Sequence, residues 1–263
     1  MKAAALLLAA ITLLAAAPPV GAAPAPLASP VPAGQNSVEF GTGSDHLTAD
    51  RVPWSRSYII ATERGSAGRP TFYEQYSEEN RYGLHDRDFV AGTYLSAGPQ
   101  TFVGLETQVS PSHNVLPSFA GTVSVEQRFA GGFGAAAGLT HRSYTTTDAS
   151  IATATADRYV GRYRFVYAAS FAQLAGTPGT AVTHTLGASL YDARGGELTL
   201  RGYAGRDVES SGNEVLVMKV TGASLSGRVP VAGGTSLTYG LDTFTQGGLY
   251  SGTGVRLGVK QQF

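Results

Sequence analysis

The chain has 263 residues, with 34 glycines, 13 tyrosines and no cysteine, and its 19 basic and 19 acidic side chains leave no net charge. The absence of cysteine excludes disulfides, a lipid-modified N-terminal cysteine and cysteine-based zinc sites. The balanced charge gives no support to nucleic-acid binding, which needs a clustered excess of Lys and Arg.

The first 36 residues predict a secretory leader. Met1 and Lys2 give a short positive start, residues 3–17 are apolar, and small residues follow at 20–23. This order is typical of a signal peptide, and the apolar run is too short for a permanent membrane helix. We therefore expect a cleaved signal peptide at 1–22 and a Pro- and Ala-rich periplasmic leader at 23–36.

From residue 37 to 263 the chain is a series of alternating segments separated by short glycine turns. One hairpin per roughly 32 residues gives about seven hairpins and about fourteen strands, with about 12 to 16 compatible with the pattern. The predicted fold class is all-β, a closed antiparallel transmembrane β-barrel in a bacterial outer membrane. The alternative is a secreted soluble β-sandwich.

Charged positions indicate which face of each strand points into the barrel, because Arg or Lys against lipid at mid-depth costs about 2 to 4 kcal/mol. In the ninth strand the aromatic face of Tyr163, Phe165 and Tyr167 is assigned to lipid. The faces of the second strand cannot be assigned in this way, because the charged Arg56 lies on the same face as Trp54. The predicted lumen-facing polar side chains are Glu74, Glu78, Arg162, Arg164, Arg201, Lys219 and Arg256.

The last residues alternate and end on an aromatic ring, with Val255, Leu257, Val259 and Phe263 on one side and Gln261 as the one departure. Such a tail resembles the C-terminal signal of bacterial outer-membrane proteins. The resemblance implies recognition of Phe263 by the barrel-assembly machinery, and outer-membrane lipids around the sheet.

Several short motifs resemble the YaiO-type outer-membrane β-barrel family. They are Trp54-Ser-Arg-Ser-Tyr58, Arg81-Tyr82-Gly83 with Asp88-Phe89 beyond it, and Val109-Ser-Pro-Ser112 followed by Pro117 and Phe119. The resemblance implies an outer-membrane location and a link to envelope or exopolysaccharide handling. It carries no catalytic residues to transfer and implies no cofactor.

Mixed charge on the inner faces leaves two interpretations of the lumen open. One is a polar passage for a small hydrophilic solute or a glycan chain, which makes the protein a pore or an exopolysaccharide-linked channel. The other is a lumen closed by its own salt-bridged side chains, which makes it a structural envelope component.

Two clusters invite a catalytic or metal-binding interpretation. His141 and Ser143 share a strand face and resemble the His-x-Ser pair of outer-membrane phospholipases, so a surface phospholipid or ester hydrolase is the alternative function. No asparagine lies close in sequence to orient the histidine. The acidic run from His85 to Asp88 is expected to be a solvated loop tip, and no metal site is predicted.

Overall fold

The computed structural model describes residues 36–49, 51–65, 69–210 and 214–263. The predicted signal peptide at 1–22 and all but the last residue of the predicted leader at 23–36 lie outside the described residues. No helix in these described ranges is long and apolar enough to span a membrane.

The described chain forms fourteen strands and a single short 3-10 turn at Ala130–Gly132. The strand number agrees with the prediction. The strands are β1 Ser37–Leu47, β2 Trp54–Glu63, β3 Thr71–Arg81, β4 Leu84–Ser96, β5 Thr101–Val109, β6 Phe119–Arg128, β7 Phe133–Ser143, β8 Asp148–Val160, β9 Tyr163–Leu174, β10 Ala181–Tyr191, β11 Glu197–Ser210, β12 Val215–Ala232, β13 Thr235–Gln246 and β14 Tyr250–Gln262.

The sheet closes on itself because β1 pairs antiparallel with β14. Ser37 lies opposite Gln262 and Leu47 lies opposite Gly252, so the two strands are paired along the whole of β1. Every other strand pairs with its neighbours in sequence, which makes the barrel a simple meander. Closure leaves no free sheet edge, and the alternative of two stacked open sheets is wrong.

The alternation of buried and exposed residues defines the two faces of the wall. In β9, Phe165 and Tyr167 are exposed on the outward face, whereas Arg164 between them is buried on the inward face. The same alternation places the exposed leucines of β11 and β13 outward, at Leu198, Leu200, Leu237 and Leu241. The outer wall is therefore apolar and aromatic, as a bilayer requires.

The second strand, which the sequence left unsorted, sends its large residues into the barrel. Trp54 is 1% exposed and stacks on Phe244 of β13 with ring centroids 5.7 Å apart. Since β2 and β13 are not neighbours in the sheet, this contact crosses the interior. Arg56 lies on the same inward face as Trp54. Its guanidinium pairs with Glu79 at 3.2 Å inside the barrel.

The two ends of the barrel differ, and we name them by their residues. The terminal end carries Asn36 and Phe263, together with the glycine turns such as Gly233-Gly234. The loop end carries the longer connections, including residues 110–118 between β5 and β6. It also holds one tight turn, where Tyr82 and Gly83 have φ values of 54° and 77°. Positive φ at both central residues is what a two-residue hairpin turn requires.

Tyrosine rings lie over glycines on the inner wall. Tyr58 is directly opposite Gly41, and its ring occupies the space that a Cβ at Gly41 would fill. The pairs Tyr73 with Gly92 and Tyr203 with Gly222 repeat this arrangement. A glycine in a strand lets an aromatic ring lie flat against the backbone of the neighbouring strand. The abundance of Gly and Tyr in the sequence therefore reflects in part how the lumen is lined.

Closure can be tested by a disulfide in this cysteine-free chain. Ser44 and Val255 face each other across β1 and β14. Directly opposed residues have Cα atoms about 4.5 to 5.5 Å apart, within disulfide range. We expect the double substitution Ser44→Cys and Val255→Cys to form a disulfide on oxidation of the folded protein, measured as loss of free thiols.

The matched control is Ser44→Cys with Val259→Cys. Val259 is four residues further along β14, about 13 Å away, so no disulfide should form. Equal oxidation of the two double variants would contradict the β1–β14 register.

Candidate functional site

Three of the predicted lumen residues lie on the inward face. Arg164 of β9 is 3% exposed and pairs with Asp157 at 3.3 Å. Arg256 of β14 pairs with Asp242 at 2.6 Å. Arg201 of β11 alternates with the exposed Leu200, which places it inside. These arginines come from β9, β11 and β14, so the charged part of the inner wall extends over several strands.

The other four residues that were predicted to face the lumen do not face it, so the prediction is wrong for them. Glu74 and Glu78 share the outward face of β3 with the exposed Phe72, because the fully buried Ser77 fixes the opposite parity as inward. Glu78 accepts a hydrogen bond from the Tyr76 hydroxyl at 2.6 Å and pairs with Arg87 at 3.2 Å.

The two basic residues that were predicted to face the lumen but lie outside it are Arg162 and Lys219. Arg162 is exposed in the turn between β8 and β9, with its guanidinium 5.7 Å from the Tyr163 ring centre. Lys219 is exposed and precedes the buried Val220 in β12. All four sit toward strand ends or in a turn, where the cost of a charge near lipid falls to about 0 to 1 kcal/mol, so charge does not mark the lumen there.

Ion pairs link the inward faces near the terminal end. The Asp157 carboxylate forms ion pairs with Arg128 at 2.8 Å and with Arg164 at 3.3 Å. Arg128 also pairs with Glu126. Both guanidinium groups lie over the Tyr159 ring, 5.5 and 5.4 Å from its centre. Residues from β6, β8 and β9 are thus joined in one network, which ties this side of the lumen together.

A second network lies closer to the loop end. Glu79 of β3 pairs with Arg56 at 3.2 Å and with Arg81, and Arg56 also donates to the Ser77 hydroxyl at 3.1 Å. Asp88 of β4 accepts hydrogen bonds from Ser77 and, at 3.2 Å, from the Gln108 amide.

The lumen is electrically polarised along its length. Among the described residues, the inward-facing charges of the loop half are eight carboxylates and four guanidinium groups, whereas those of the terminal half are four carboxylates and six cations. In the loop half they are Asp45, Glu79, Asp86, Asp88, Glu106, Asp207, Glu209, Asp242, Arg56, Arg81, Arg142 and Arg256; in the terminal half they are Glu39, Glu126, Asp157, Glu197, Arg64, Arg128, Arg164, Arg201, Arg228 and Lys260. The loop half is therefore acidic and the terminal half basic.

An aromatic cluster closes part of the lumen near the loop end. Trp54 contacts Phe244 by stacking, and it contacts Tyr82 and Tyr250 edge-on at 5.2 and 5.6 Å between ring centres. The hydroxyls of Tyr82 and Tyr250 are 2.8 Å apart. We call these four residues, with Leu47, the mouth cluster. Sequence analysis assigned aromatic faces to lipid and therefore missed it.

The β11–β12 hairpin folds inward over the same mouth. β11 pairs with β10 only as far as Gly205, whose φ of 152° lies in the region that favours glycine. Beyond this point Val208 is buried against a group of inward apolar side chains of β8 to β10. On the other side, Glu209 accepts a hydrogen bond from the Tyr82 hydroxyl at 3.3 Å. The hairpin therefore bridges opposite sides of the opening.

The acidic run from His85 to Asp88 is structural. Asp86 is buried and its carboxylate accepts hydrogen bonds from the backbone N–H groups of Asn114, Val115 and Leu116, at 2.6 to 2.9 Å. It thereby anchors the loop between β5 and β6. Across the described ranges, no group of three potential metal ligands comes together.

The His141 pair lies on the outer wall at the loop end. The Ser143 hydroxyl is 3.4 Å from His141 Nε2, and the Ser150 hydroxyl is 3.5 Å from Nδ1. Both distances are at the limit for a hydrogen bond. Within the described part of the chain, no carboxylate or amide bonds to His141, so a strong orienting group is absent there. An apolar groove of about 1060 Å³ runs beside it along the lipid-facing wall, past Ala91 and Leu105.

Comparisons with known proteins agree with this architecture. The family model described as the YaiO membrane beta barrel domain matches residues 35–208. The outer membrane protein Omp33 of Acinetobacter baumannii has a TM-score of 0.55 at 10% identity, with 88% of this chain and 100% of that chain covered. The CymD monoaromatic hydrocarbon channel has a TM-score of 0.57 at 8% identity, with 89% of each chain covered.

A further similar structure is a bacterial polysaccharide outer membrane secretin, with a TM-score of 0.54 at 8% identity, covering 88% of this chain and 99% of that chain. At such identities the likeness concerns the fold alone, which is that of outer-membrane barrels. No curated protein matches the sequence.

The mouth cluster makes a measurable contribution to stability. Phe244 is almost fully buried against Trp54, the only tryptophan of the chain. We expect Phe244→Ala to lower the free energy of unfolding by about 3 to 5 kcal/mol, because it removes a large buried ring. Urea unfolding in lipid vesicles measures this, and the tryptophan emission of the folded variant should shift to the red.

The control is Thr243→Ala, at the adjacent outward position, which should change stability by about 0.5 kcal/mol or less. An unchanged emission and stability in Phe244→Ala would show that the cluster is not packed as described.

Proposed function

The chain belongs to the YaiO membrane β-barrel family, and from this premise we propose that it is a transport-associated outer-membrane barrel whose lumen passes small hydrophilic solutes. The observation that carries the proposal is the set of charged side chains on the inward faces of the strands. Burying an ion costs several kcal/mol even after relaxation, and apolar side chains of similar volume would fill a purely structural barrel as well. Retained charge of both signs suits a water-containing passage.

We propose that the terminal end faces the periplasm and the loop end faces outward, since bacterial barrels have short periplasmic turns and longer external loops. Residues 1–22 then serve as the cleaved signal peptide and residues 23–36 as a periplasmic leader. Phe263, exposed on the outer wall at the terminal end, is in position for recognition by the barrel-assembly machinery.

The mouth cluster and the β11–β12 hairpin act as the gate of this passage in our proposal. Both lie at the loop end, and Tyr82 contacts both through its ring and its hydroxyl. The hairpin beyond Gly205 has pairing on one side only, because β10 no longer accompanies β11. An element with half of its ladder hydrogen bonds is the part of a sheet that moves at least cost.

A glycan chain is the second candidate solute, and a row of hydroxyl groups favours it. Thr153, Ser170 and Thr185 line the inward faces of β8, β9 and β10, and their side-chain oxygens are buried without hydrogen-bond partners in the barrel. Sugars present many hydroxyls that can pair with such groups. The similar structure described as a polysaccharide secretin handles a substrate of this class.

The proposal is tested by conductance across a planar lipid bilayer. We expect the refolded full chain to conduct in brief, rare openings, and a variant in which Val208–Val217 is replaced by Asn-Gly to stay open for most of the time. Val208 and Val217 are opposed in register, so this change shortens the hairpin without shifting it. A shortened variant that is folded, as judged by heat-dependent gel mobility, and never conducts would refute the passage.

Charge inside the lumen should control ion selectivity. Arg201 faces the lumen in the basic half, and it makes no ion pair with another residue that the structure describes. Arg201→Gln removes a cation there, so the ratio of chloride to potassium permeability should fall by at least about twofold. Reversal potentials in a salt gradient measure the ratio.

The matched control is Arg158→Gln, which neutralises an exposed cation on the outward face of β8 in the same half of the barrel. It should leave the ratio unchanged. An equal effect of both substitutions would mean that selectivity does not arise from the inner wall.

A further inference from the structure

Arg64 is a buried cation whose guanidinium pairs with none of the described residues. It lies just past the end of β2 at the terminal end, and the residue is 7% exposed. Its backbone N–H donates to the Asn36 side-chain oxygen at 3.0 Å, which fixes the chain at this point. All three guanidinium nitrogens are buried, and none of them has a hydrogen-bond partner within residues 36–49, 51–65, 69–210 and 214–263. An Arg side chain has five N–H donors, so the whole fork is unsatisfied.

Two further cations act on the same region. Arg228 is 3% and Lys260 is 1% exposed, and they lie opposite the inward-facing Thr238 and Ser236, which are two residues apart in β13. Burial and, to a smaller extent, repulsion from Arg228 lower the pKa of Arg64 to about 10, so Arg64 stays charged at neutral pH. Lys260 lies opposite Glu39 of β1, and Arg64 follows β2 on the other side of β1, which brings these cations to one end of the inner wall.

The nearby carboxylates of Glu39 and Glu197 accept hydrogen bonds through one oxygen each, and the second oxygen of each has no hydrogen-bond partner among the described residues. Glu39 accepts hydrogen bonds from Tyr58 at 3.0 Å and Thr238 at 3.2 Å, and it stands 4.0 Å from the Lys260 nitrogen. Glu197 accepts from the Thr199 hydroxyl at 3.0 Å. Asp192, whose charge also acts on Arg228, accepts hydrogen bonds from two backbone N–H groups of its own turn. Among the described residues, none of these three carboxylates bonds to the Arg64 guanidinium.

The remaining parts of the sequence near this end supply no counter-charge. Residues 1–35 and 66–68, which lie outside the described ranges, contain neither Asp nor Glu. Leaving a buried guanidinium unpaired is costly, because its desolvation is not compensated by hydrogen bonds. A negatively charged ligand from solution would supply the missing acceptors.

We propose that Arg64, Arg228 and Lys260 form a binding site for an oxyanion, a carboxylate or phosphate group, at the terminal end of the lumen. The Arg64 fork binds the two oxygens of such a group in parallel, and Lys260 adds a point charge. Arg228 is held in place by its hydrogen bond to the Gly195 carbonyl at 2.7 Å. The ligand class is a small acidic solute or the acidic group of a sugar chain.

The site goes beyond the proposed passage, because binding an oxyanion requires the folded barrel and not conduction. Only the identification of the bound anion as the transported solute rests on the proposed function. The two ideas can therefore fail separately.

Isothermal titration of the refolded full chain in detergent tests the site. Sodium glucuronate and sodium phosphate are the two probes, and sodium chloride at equal ionic strength is the blank. We expect saturable binding of at least one probe, and its Kd should rise at least tenfold in Arg64→Gln. Arg64→Lys keeps the charge without the fork and should give an intermediate Kd. Binding of glucuronate alone identifies a carboxylate site, and binding of phosphate alone a phosphate site.

The matched control is Arg162→Gln, which removes an exposed cation at the same end of the barrel and should bind the probe like the unmodified protein. Heat-dependent gel mobility shows which variants are folded, and if Arg64→Gln is unfolded the comparison rests on Arg64→Lys. Absence of saturable binding, or equal Kd values in Arg64 variants and the control, overturns the site. Binding by a barrel that never conducts keeps the site and removes its role in transport.

Discussion

The structure depends on one constraint, which is that hydrocarbon offers no hydrogen bonds to a peptide backbone. Each strand must therefore find both of its ladder partners within the sheet, and the pairing of β1 with β14 meets this requirement for the two strands that would otherwise form edges. The apolar and aromatic outer wall follows from the same constraint, since the outward side chains of strands such as β9 have lipid as their solvent.

The interior follows the opposite rule from that of a soluble protein. Charged side chains that would be excluded from a globular core are collected inside, where ion pairs such as those of Asp157 with Arg128 and Arg164 satisfy them. Their distribution along the axis is uneven, with carboxylates in excess toward the loop end and cations toward the terminal end. A solute crossing the barrel would meet an acidic region and a basic region in succession, so the two halves present opposite electrostatic potentials to it.

The sequence predicted the architecture because the period of two recurs in every strand, and a strand such as β9 has both a full aromatic face and a buried Arg164. It failed where both faces carry polar residues. In β3, acidic side chains occur at both parities, and only the tertiary structure shows that Ser77 and Glu79 point inward while Glu74 and Glu78 point outward. The mouth cluster and the inward hairpin were missed because contacts between β2 and β13, or between Tyr82 and Glu209, depend on the cross-section of the closed barrel rather than on local pattern.

The tyrosine rings that lie flat on the inner wall affect the free width of the lumen. The ring of Tyr58 lies along the wall only because Gly41 has no side chain, and Tyr73 and Tyr203 depend on Gly92 and Gly222 in the same way. A methyl group at any of these glycines would tip the ring away from the wall and toward the axis. The absence of a side chain at a few glycines therefore keeps these rings out of the bore, and one added methyl group is expected to narrow the bore locally.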